Sequence, residues 1–291
     1  MTKRTHQGQP GWRPAALALI AAVMSGTAVA QSEALLQSQP GVKELRMAAL
    51  GDSITRAFNA NGPVDHPWNS WATGNSDKVG LFRRGQVKSH AEFLSDLTGR
   101  DVLVHNVAKS GATSADLKRQ VKLLKGIHLD YATLLIGANN LCGHGASATT
   151  SGNADMSAFA SEVEDAVTAL IRMNPGIKIL LVSIPDMPRL QRLGKGTQCE
   201  SRWNSFGICK MLLGKSATGE TIETFTRQWQ EANRDLSEIA ARHSDHVLYN
   251  PTLSEFPFER QHVSELDCFH PNITGQNLLS LETWKTGWWG E

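Results

Sequence analysis

Residues 47–53 read Met-Ala-Ala-Leu-Gly-Asp-Ser, a short apolar run that leads directly into a glycine and two polar residues. An apolar run of this length, bounded by turn residues, is typical of a strand buried on both faces of a parallel sheet. Four further runs of the same kind occupy residues 102–104, 133–136, 179–182 and 247–249. We therefore predict an α/β protein with a central, mostly parallel sheet of five strands.

The segments between these runs carry apolar residues at three- and four-residue steps, which indicates helices with one face against the sheet. The clearest occupy residues 159–171 and 222–239, and Trp229 in the second is predicted to belong to the core. Residues 58–88 and 186–220 lack this period, so both are predicted to be long irregular loops, which often carry function. We expect one domain at residues 44–291, a usual size for an α/β core.

The first thirty residues have the composition of an export signal. Three basic residues precede an apolar run at 14–24, and small residues at 28–30 form a cleavage site. The run is shorter than the roughly twenty residues of a membrane span, so an uncleaved anchor is the less favoured alternative. We predict a signal peptide at residues 1–30 cleaved after Ala30, a polar linker at 31–43, and export to the periplasm or out of the cell.

The cysteines are four in number, an even count that favours two disulfides in an exported chain. Cys142, Cys199, Cys209 and Cys268 permit three pairings. The short segment between Cys199 and Cys209 favours a local bond there, which leaves Cys142 to pair with Cys268. Zinc binding is the less favoured alternative, because the spacings include no C-x-x-C pair.

The charge balance does not indicate a strongly polyanion-binding chain. There are 29 basic and 28 acidic side chains, and the predicted signal holds three of the basic ones and no acidic one. Nucleic acid is therefore not expected as a partner. Basic residues outnumber acidic ones in the segment 186–220. We interpret this segment as a solvated surface, and contact with phosphate head groups is the alternative.

Three tryptophans lie close to the C-terminus, Trp284, Trp288 and Trp289. We expect them to dock the end of the chain onto the core. A transient contact with a membrane surface is the alternative.

The first catalytic candidate is Ser53, which follows the first predicted strand and should lie at the edge of the sheet where α/β proteins bind ligands. A serine there is by itself more often a helix cap. Near the other end of the chain, residues 267–271 read Asp-Cys-Phe-His-Pro. The imidazole of His270 can activate a serine hydroxyl near neutral pH, and Asp267 is spaced to orient the ring. We therefore predict Ser53 as nucleophile, His270 as base and Asp267 as its partner.

Two turns rich in glycine and asparagine follow the second and third predicted strands. One contains Gly111, and the other, residues 137–140, reads Gly-Ala-Asn-Asn. Ester cleavage develops negative charge on the former carbonyl oxygen, and fixed donors around it lower the barrier. The backbone N–H groups of Ser53 and Gly111 and the side-chain amide of Asn139 are predicted to be these donors. Tight turns alone would explain the glycines but not the paired asparagines.

These four blocks, which span residues 51–271 in this order, resemble the SGNH hydrolases, also called the GDSL esterase/lipase family. The resemblance implies a flavodoxin-like α/β/α sandwich, no cofactor and no metal. It makes Ser53, Asp267 and His270 catalytic and makes Ser53, Gly111 and Asn139 the oxyanion donors. Within the family the motifs look most like those of the phospholipase B-like branch. Asn140 departs from the pattern, because the family usually carries aspartate there.

The resemblance implies a hydrolase of acyl esters, with a small-molecule ester or a lipid or phospholipid ester as substrate. Trp68 and Trp71 are candidates to offer apolar faces to that substrate. The alternatives are a carbohydrate O-acetylesterase with the same machinery and a secreted binding protein that has lost catalysis. A metal-dependent phosphoesterase is disfavoured, because too few Asp and His residues follow the predicted strands to hold two ions.

Overall fold

The computed structural model describes residues 44–74, 85–144 and 154–290, and a single sheet of five strands runs through them. The strands are β1 (Glu44–Gly51), β2 (Asp101–Asn106), β3 (Tyr131–Leu135), β4 (Lys178–Val182) and β5 (Val247–Asn250). All four neighbouring pairs are parallel. The predicted α/β class and five-stranded sheet are confirmed. The predicted signal peptide and linker lie outside the described residues.

The strand order is β2-β1-β3-β4-β5, the order of flavodoxin-like sheets. The chain runs outward from β1 in one direction to β2 and in the other to β3, so the loops after these strands diverge and leave a crevice. The register pairs Gly51 with Leu135, Leu135 with Val182, and Val182 with Asn250. The carboxyl ends of four strands therefore lie at one level along the same edge.

Helices cover both faces of this sheet. They are α1 (His90–Thr98), α2 (Leu117–Leu123), α3 (Ala138–Leu141), α4 (Phe159–Met173), α5 (Met187–Gly194), α6 (Gln198–Phe206), α7 (Gly219–Arg242), α8 (Thr252–Glu255) and α9 (Ile273–Lys285). Alternate residues of β1 enter opposite cores: Ala48 packs with α2, α4 and α7, whereas Met47 and Ala49 pack with α1 and α9. Each face of the sheet is thereby buried under helices.

The segment 186–220 is not the irregular loop that the sequence predicted. It contains α5 and α6 and ends in the first turn of α7. Side-chain caps begin both short helices: Asp186 accepts the N–H of Arg189, and Thr197 accepts the N–H of Cys199. Gly207, at φ 65°, ends α6 in the left-handed conformation. The helices are short and polar, so they lack the long apolar stripe from which the other helices were predicted.

The predicted disulfide pairing is wrong. The bonds join Cys142 to Cys209 and Cys199 to Cys268, instead of Cys199 to Cys209 and Cys142 to Cys268. The reason is helix α6, which begins beside Cys199 and ends before Cys209. A helix of this length rises more than roughly 10 Å, whereas a disulfide spans a Cα separation of about 4–7 Å. Both bonds instead tie the α5–α6 segment to distant parts of the chain.

The C-terminal tryptophans pack on the protein. Trp289 is 5% exposed and meets the ring of Tyr131, and the indole N–H of Trp288 donates to the carbonyl of Ile179 at 3.0 Å. Trp229 packs against the core as well, and its N–H donates to the carbonyl of Pro185. None of the helices in the described part of the chain combines the length and apolarity needed to cross a bilayer.

Candidate active site

Ser53 is held in a tight turn at the carboxyl end of β1. Gly51 has φ +139°, and a Cβ there would lie 2.1 Å from the carbonyl oxygen of Leu135, so this position requires glycine. The side-chain amide of Gln120 bonds both the N–H and the carbonyl of Gly51 at 2.8 Å. Asp52 accepts the N–H of Ile54 across Ser53 at 2.9 Å. These bonds fix where the Ser53 hydroxyl lies.

The structure brings Ser53, His270 and Asp267 into one chain of hydrogen bonds. Ser53 Oγ lies 2.8 Å from His270 Nε2, and His270 Nδ1 lies 2.6 Å from Asp267 Oδ2. The serine and histidine are separated by 217 positions in sequence. Ser53 is 7% exposed and Asp267 is 4% exposed, so most bulk water is excluded from the chain of bonds.

Asp267 accepts more hydrogen bonds than the one from His270 Nδ1. The backbone N–H groups of Phe269 and His270 donate to its other oxygen, and Asn59 Nδ2 donates to Oδ2 at 2.6 Å. Burial alone would raise the pKa of Asp267, but its hydrogen bonds and the charge of His270 outweigh burial and lower it. The carboxylate thus remains ionised and accepts from Nδ1–H, which leaves Nε2 as the proton acceptor facing Ser53.

Sequence reasoning missed three residues that contact this chain of bonds. The rings of Phe58 and Phe269 each meet the His270 ring edge-on, with centroids 4.9 Å apart. Asn59 adopts φ 57°, a left-handed conformation that asparagine tolerates, and this directs it toward Asp267. Phe58 and Asn59 lie in an aperiodic stretch, so their proximity to Ser53 in sequence was the sole signal that pointed to them.

Asp52 is a second carboxylate, next to Ser53 in sequence. It is fully buried, and burial raises its pKa to about 6 against the opposing bond from the Ile54 N–H and the charge of His270. Its Oδ2 atom has no hydrogen-bond partner within the described residues. Asp52 shapes the turn, whereas Asp267 is the carboxylate that contacts the imidazole.

The turns that carry Gly111 and Asn139 meet at this same edge. Gly111 has φ +80°, and Asn139 Nδ2 donates to the carbonyl of Ala112, its neighbour, at 2.9 Å. An amide nitrogen carries two hydrogens, so this bond uses one of them. Gly137, before Asn139, has φ +125°, and a Cβ there would lie 2.4 Å from the side chain of Ile184.

The two tryptophans predicted to face substrate differ. Trp71 is 0% exposed and packs edge-on against His90, so the prediction that it presents a face to substrate is wrong. Its backbone N–H donates to Gln276, which ties this segment to α9. Trp68 is half-buried beside His66 and stays a candidate.

An apolar cavity of about 60 Å³ lies at the same edge of the sheet. Its walls include Ile54, Ala138 and Phe269, which adjoin Ser53, Asn139 and His270 in sequence. Leu190 of α5 and Phe258 also belong to the apolar lining. Within the part of the chain that the structure covers, no group of three or more His, Cys, Asp and Glu side chains is arranged to hold a metal.

The sequence and the fold both resemble those of known proteins. The GDSL-like lipase/acylhydrolase family model matches residues 49–278. An acetylxylan esterase from Geobacillus stearothermophilus is 14% identical with a TM-score of 0.52, covering 85% of this chain and 95% of that one. An α/β hydrolase from the metagenome of Lake Arreo, Spain, is 18% identical with a TM-score of 0.51, covering 85% and 97%.

A phospholipase A1 from Streptomyces albidoflavus is 17% identical, with a TM-score of 0.47 and coverage of 79% and 94%. At these identities, the two solved structures with TM-scores above 0.5 show a shared fold alone. No curated protein matches the sequence significantly. The family match covers most of the chain, from the last residues of β1 into α9. The chain therefore belongs to the GDSL-like lipase/acylhydrolase family and is a carboxylic ester hydrolase.

Proposed function

We propose that this hydrolase works through an acyl-enzyme formed on Ser53. The observation that carries the proposal is the unbroken chain from Ser53 Oγ through His270 to Asp267, with links of 2.8 and 2.6 Å. His270 Nε2 takes the hydroxyl proton as Oγ attacks the ester carbonyl, and Asp267 stabilises the imidazolium that forms. The imidazolium then protonates the leaving alcohol. Water activated by the same imidazole releases the acid and restores Ser53.

The backbone N–H groups of Ser53 and Gly111 and the second hydrogen of Asn139 Nδ2 serve as oxyanion donors in this mechanism. Support comes from the contact between Asn139 and Ala112, which fixes the amide beside the Gly111 turn. One such donor contributes a factor of about 100 to 1,000 in turnover in serine hydrolases. Phe58 and Phe269 each contact the His270 ring edge-on, and these contacts preserve its alignment through the proton transfers.

The apolar cavity beside Ile54 and Ala138 is proposed to take the acyl chain, and its apolar lining supports a lipid or phospholipid ester as the substrate class. A second class, O-acetylated carbohydrate, is favoured by the size of the cavity. Its volume of about 60 Å³ is well below the roughly 150 Å³ of a cavity that accepts benzene. A long acyl chain would therefore extend past Leu190 and Phe258 toward solvent, whereas an acetyl group would fit entirely.

The site of action is proposed to be the periplasm or the cell exterior. The two disulfides fit an oxidising compartment. The composition of residues 1–30 supports a cleaved signal peptide.

The proposal is tested with Ser53→Ala and a matched control, Ser161→Ala, which changes an exposed serine on α4. Ser53→Ala should reduce turnover of nitrophenyl esters by at least about a thousandfold and abolish labelling by a fluorophosphonate probe. Ser161→Ala should behave as wild type. Wild-type turnover by Ser53→Ala would show that Ser53 is not the nucleophile. A wild-type protein that the probe does not label would favour the alternative of a binding protein that has lost catalysis. A panel of phospholipids, triglycerides and acetylated sugars then separates the substrate classes.

A further inference from the structure

Side-chain hydrogen bonds join two turns that follow different strands. The turn after β2 carries Gly111, the turn after β3 carries Asn139, and β1 lies between those strands in the sheet. Asn139 bonds the carbonyl of Ala112, and the next residue, Asn140, bonds Ser114 twice. The relative position of the two proposed oxyanion donors therefore depends on the side chains at 139 and 140.

The orientation of the Asn140 amide is fixed by its partners. The backbone N–H of Ser114 can only donate, so it must face the amide oxygen, at 3.0 Å. The amide nitrogen then faces Ser114 Oγ, to which it donates at 2.8 Å. Both residues are buried, Ser114 at 1% and Asn140 at 3% exposure. Ser114 Oγ is consequently an acceptor toward Asn140 and must direct its own proton elsewhere.

That proton goes to Glu162 in the first turn of α4. Ser114 Oγ lies 2.6 Å from Glu162 Oε2, the short distance expected of a hydroxyl that donates to a carboxylate. A hydroxyl has a single proton, so the chain runs in one direction, from Asn140 to Ser114 to Glu162. This chain of bonds connects a carboxylate on α4 to the turn that holds Asn139.

We propose that Glu162 is a positioning residue for the oxyanion donors and acts through Ser114 and Asn140, an inference that rests on the proposed roles of Gly111 and Asn139. The direction of the chain also explains why an asparagine, whose amide can donate to Ser114, suits position 140. A carboxylate at 140 has no proton to give, so it would compete with Glu162 for the proton of Ser114. The amide at 140 and the carboxylate at 162 are thus a matched pair.

A double-mutant cycle on the full enzyme with a soluble nitrophenyl ester tests this pairing. Asn140→Asp should lower kcat by between about ten- and a hundredfold with KM changed less than about threefold, because the oxyanion exists only in the transition state. Glu162→Gln should lose less, since its amide oxygen still accepts the Ser114 proton. The double variant should return to within about threefold of Glu162→Gln. In it the chain reverses: the glutamine donates to Ser114, which donates to the aspartate.

The control is Glu164→Gln on the same helix, which breaks the ion pair with Arg242 and should leave the kinetics unchanged. Wild-type kcat in Asn140→Asp, or a double variant as slow as Asn140→Asp, would overturn the pairing. If Asn140→Asp does not fold, Ser114→Ala replaces it. That change removes the hydroxyl, so its kcat should fall with little change in KM, and wild-type kcat would again overturn the proposal.

Ser53→Ala in the same assay separates the two proposals. If it abolishes turnover while Asn140→Asp keeps wild-type kcat, the role of Glu162 fails and the mechanism stands. If Ser53→Ala keeps wild-type turnover, the mechanism fails and the role of Glu162 fails with it.

Discussion

The double variant Cys199→Ser/Cys268→Ser removes the disulfide that joins α6 to the segment between Asp267 and His270. The two cysteines are 69 positions apart in sequence. A cross-link lowers the entropy of the unfolded chain by an amount that grows with the logarithm of the loop it closes. For a loop of this length the loss of the bond should lower the free energy of unfolding by about 4 kcal/mol. Since domains commonly unfold at a cost of about 5–15 kcal/mol, this destabilisation is severe.

The measurement is urea unfolding in non-reducing buffer, followed by tryptophan fluorescence and circular dichroism. The matched control is Cys142→Ser/Cys209→Ser, which removes the other disulfide, with a sequence separation of 67. Both variants should be destabilised by similar amounts, because the two loops have nearly equal length.

Thiol titration of the denatured variants distinguishes the pairings. Each variant should contain no free thiol, because the other disulfide survives intact. The pairing predicted from sequence would leave two unpartnered cysteines in either variant. Two free thiols would refute the disulfide bonds seen in the structure. A free energy of unfolding within about 1 kcal/mol of wild type would refute the loop-entropy reasoning.

Two further predictions concern pH and acyl length. Burial lowers the pKa of His90 to about 3 in the folded protein. As the pH falls below 6.5, the imidazole of His90 is therefore protonated in the unfolded chain before it is protonated in the folded protein. The free energy of unfolding then falls by roughly 1.4 kcal/mol per pH unit. His90→Gln should lack this loss, which is measured as the difference between the wild-type and variant free energies of unfolding, compared at pH 7 and pH 4.5. The raised pKa of Asp52 has the opposite effect on stability, but it is present in both proteins and cancels in the comparison. Leu190→Phe should narrow the apolar cavity and reduce turnover of butyrate and hexanoate esters at least about tenfold relative to acetate, and an unchanged chain-length profile would place the acyl group elsewhere.

The strands were predictable because their signal is local. Each apolar run lies inside an observed strand, except that Ile136 falls one residue beyond β3. A strand buried on both faces must be apolar throughout, and no other part of the chain needs to be known to recognise it. The motif residues were predictable for a related reason: Ser53 follows β1 and Asn139 follows β3, and parallel strands place their ends at one edge.

The disulfides, and the residues that contact the site residues from other parts of the chain, were not predictable from local sequence. Their partners are set by where helices pack, as with Cys199 of α6, which lies beside the segment of Cys268. The contacts of Asn59 with Asp267 and of Glu162 with Ser114 join residues 208 and 48 positions apart. The caps at Asp186 and Thr197 did carry a local signal for α5 and α6, which apolar periodicity alone does not detect.

Two carboxylates near His270 show why the sequence motifs alone could not identify the partner of its imidazole. Asp52 adjoins Ser53, and Asp267 precedes His270 by three residues, so from sequence alone either carboxylate could be the partner of the imidazole. Asp52 has a raised pKa because burial outweighs the N–H donor of Ile54, whereas Asp267 receives four donors and has a lowered pKa. At neutral pH a carboxylate with several donors is the better anion to stabilise an imidazolium. The environment, more than the spacing in sequence, therefore makes Asp267 the partner of His270 and leaves Asp52 to hold the turn of Ser53.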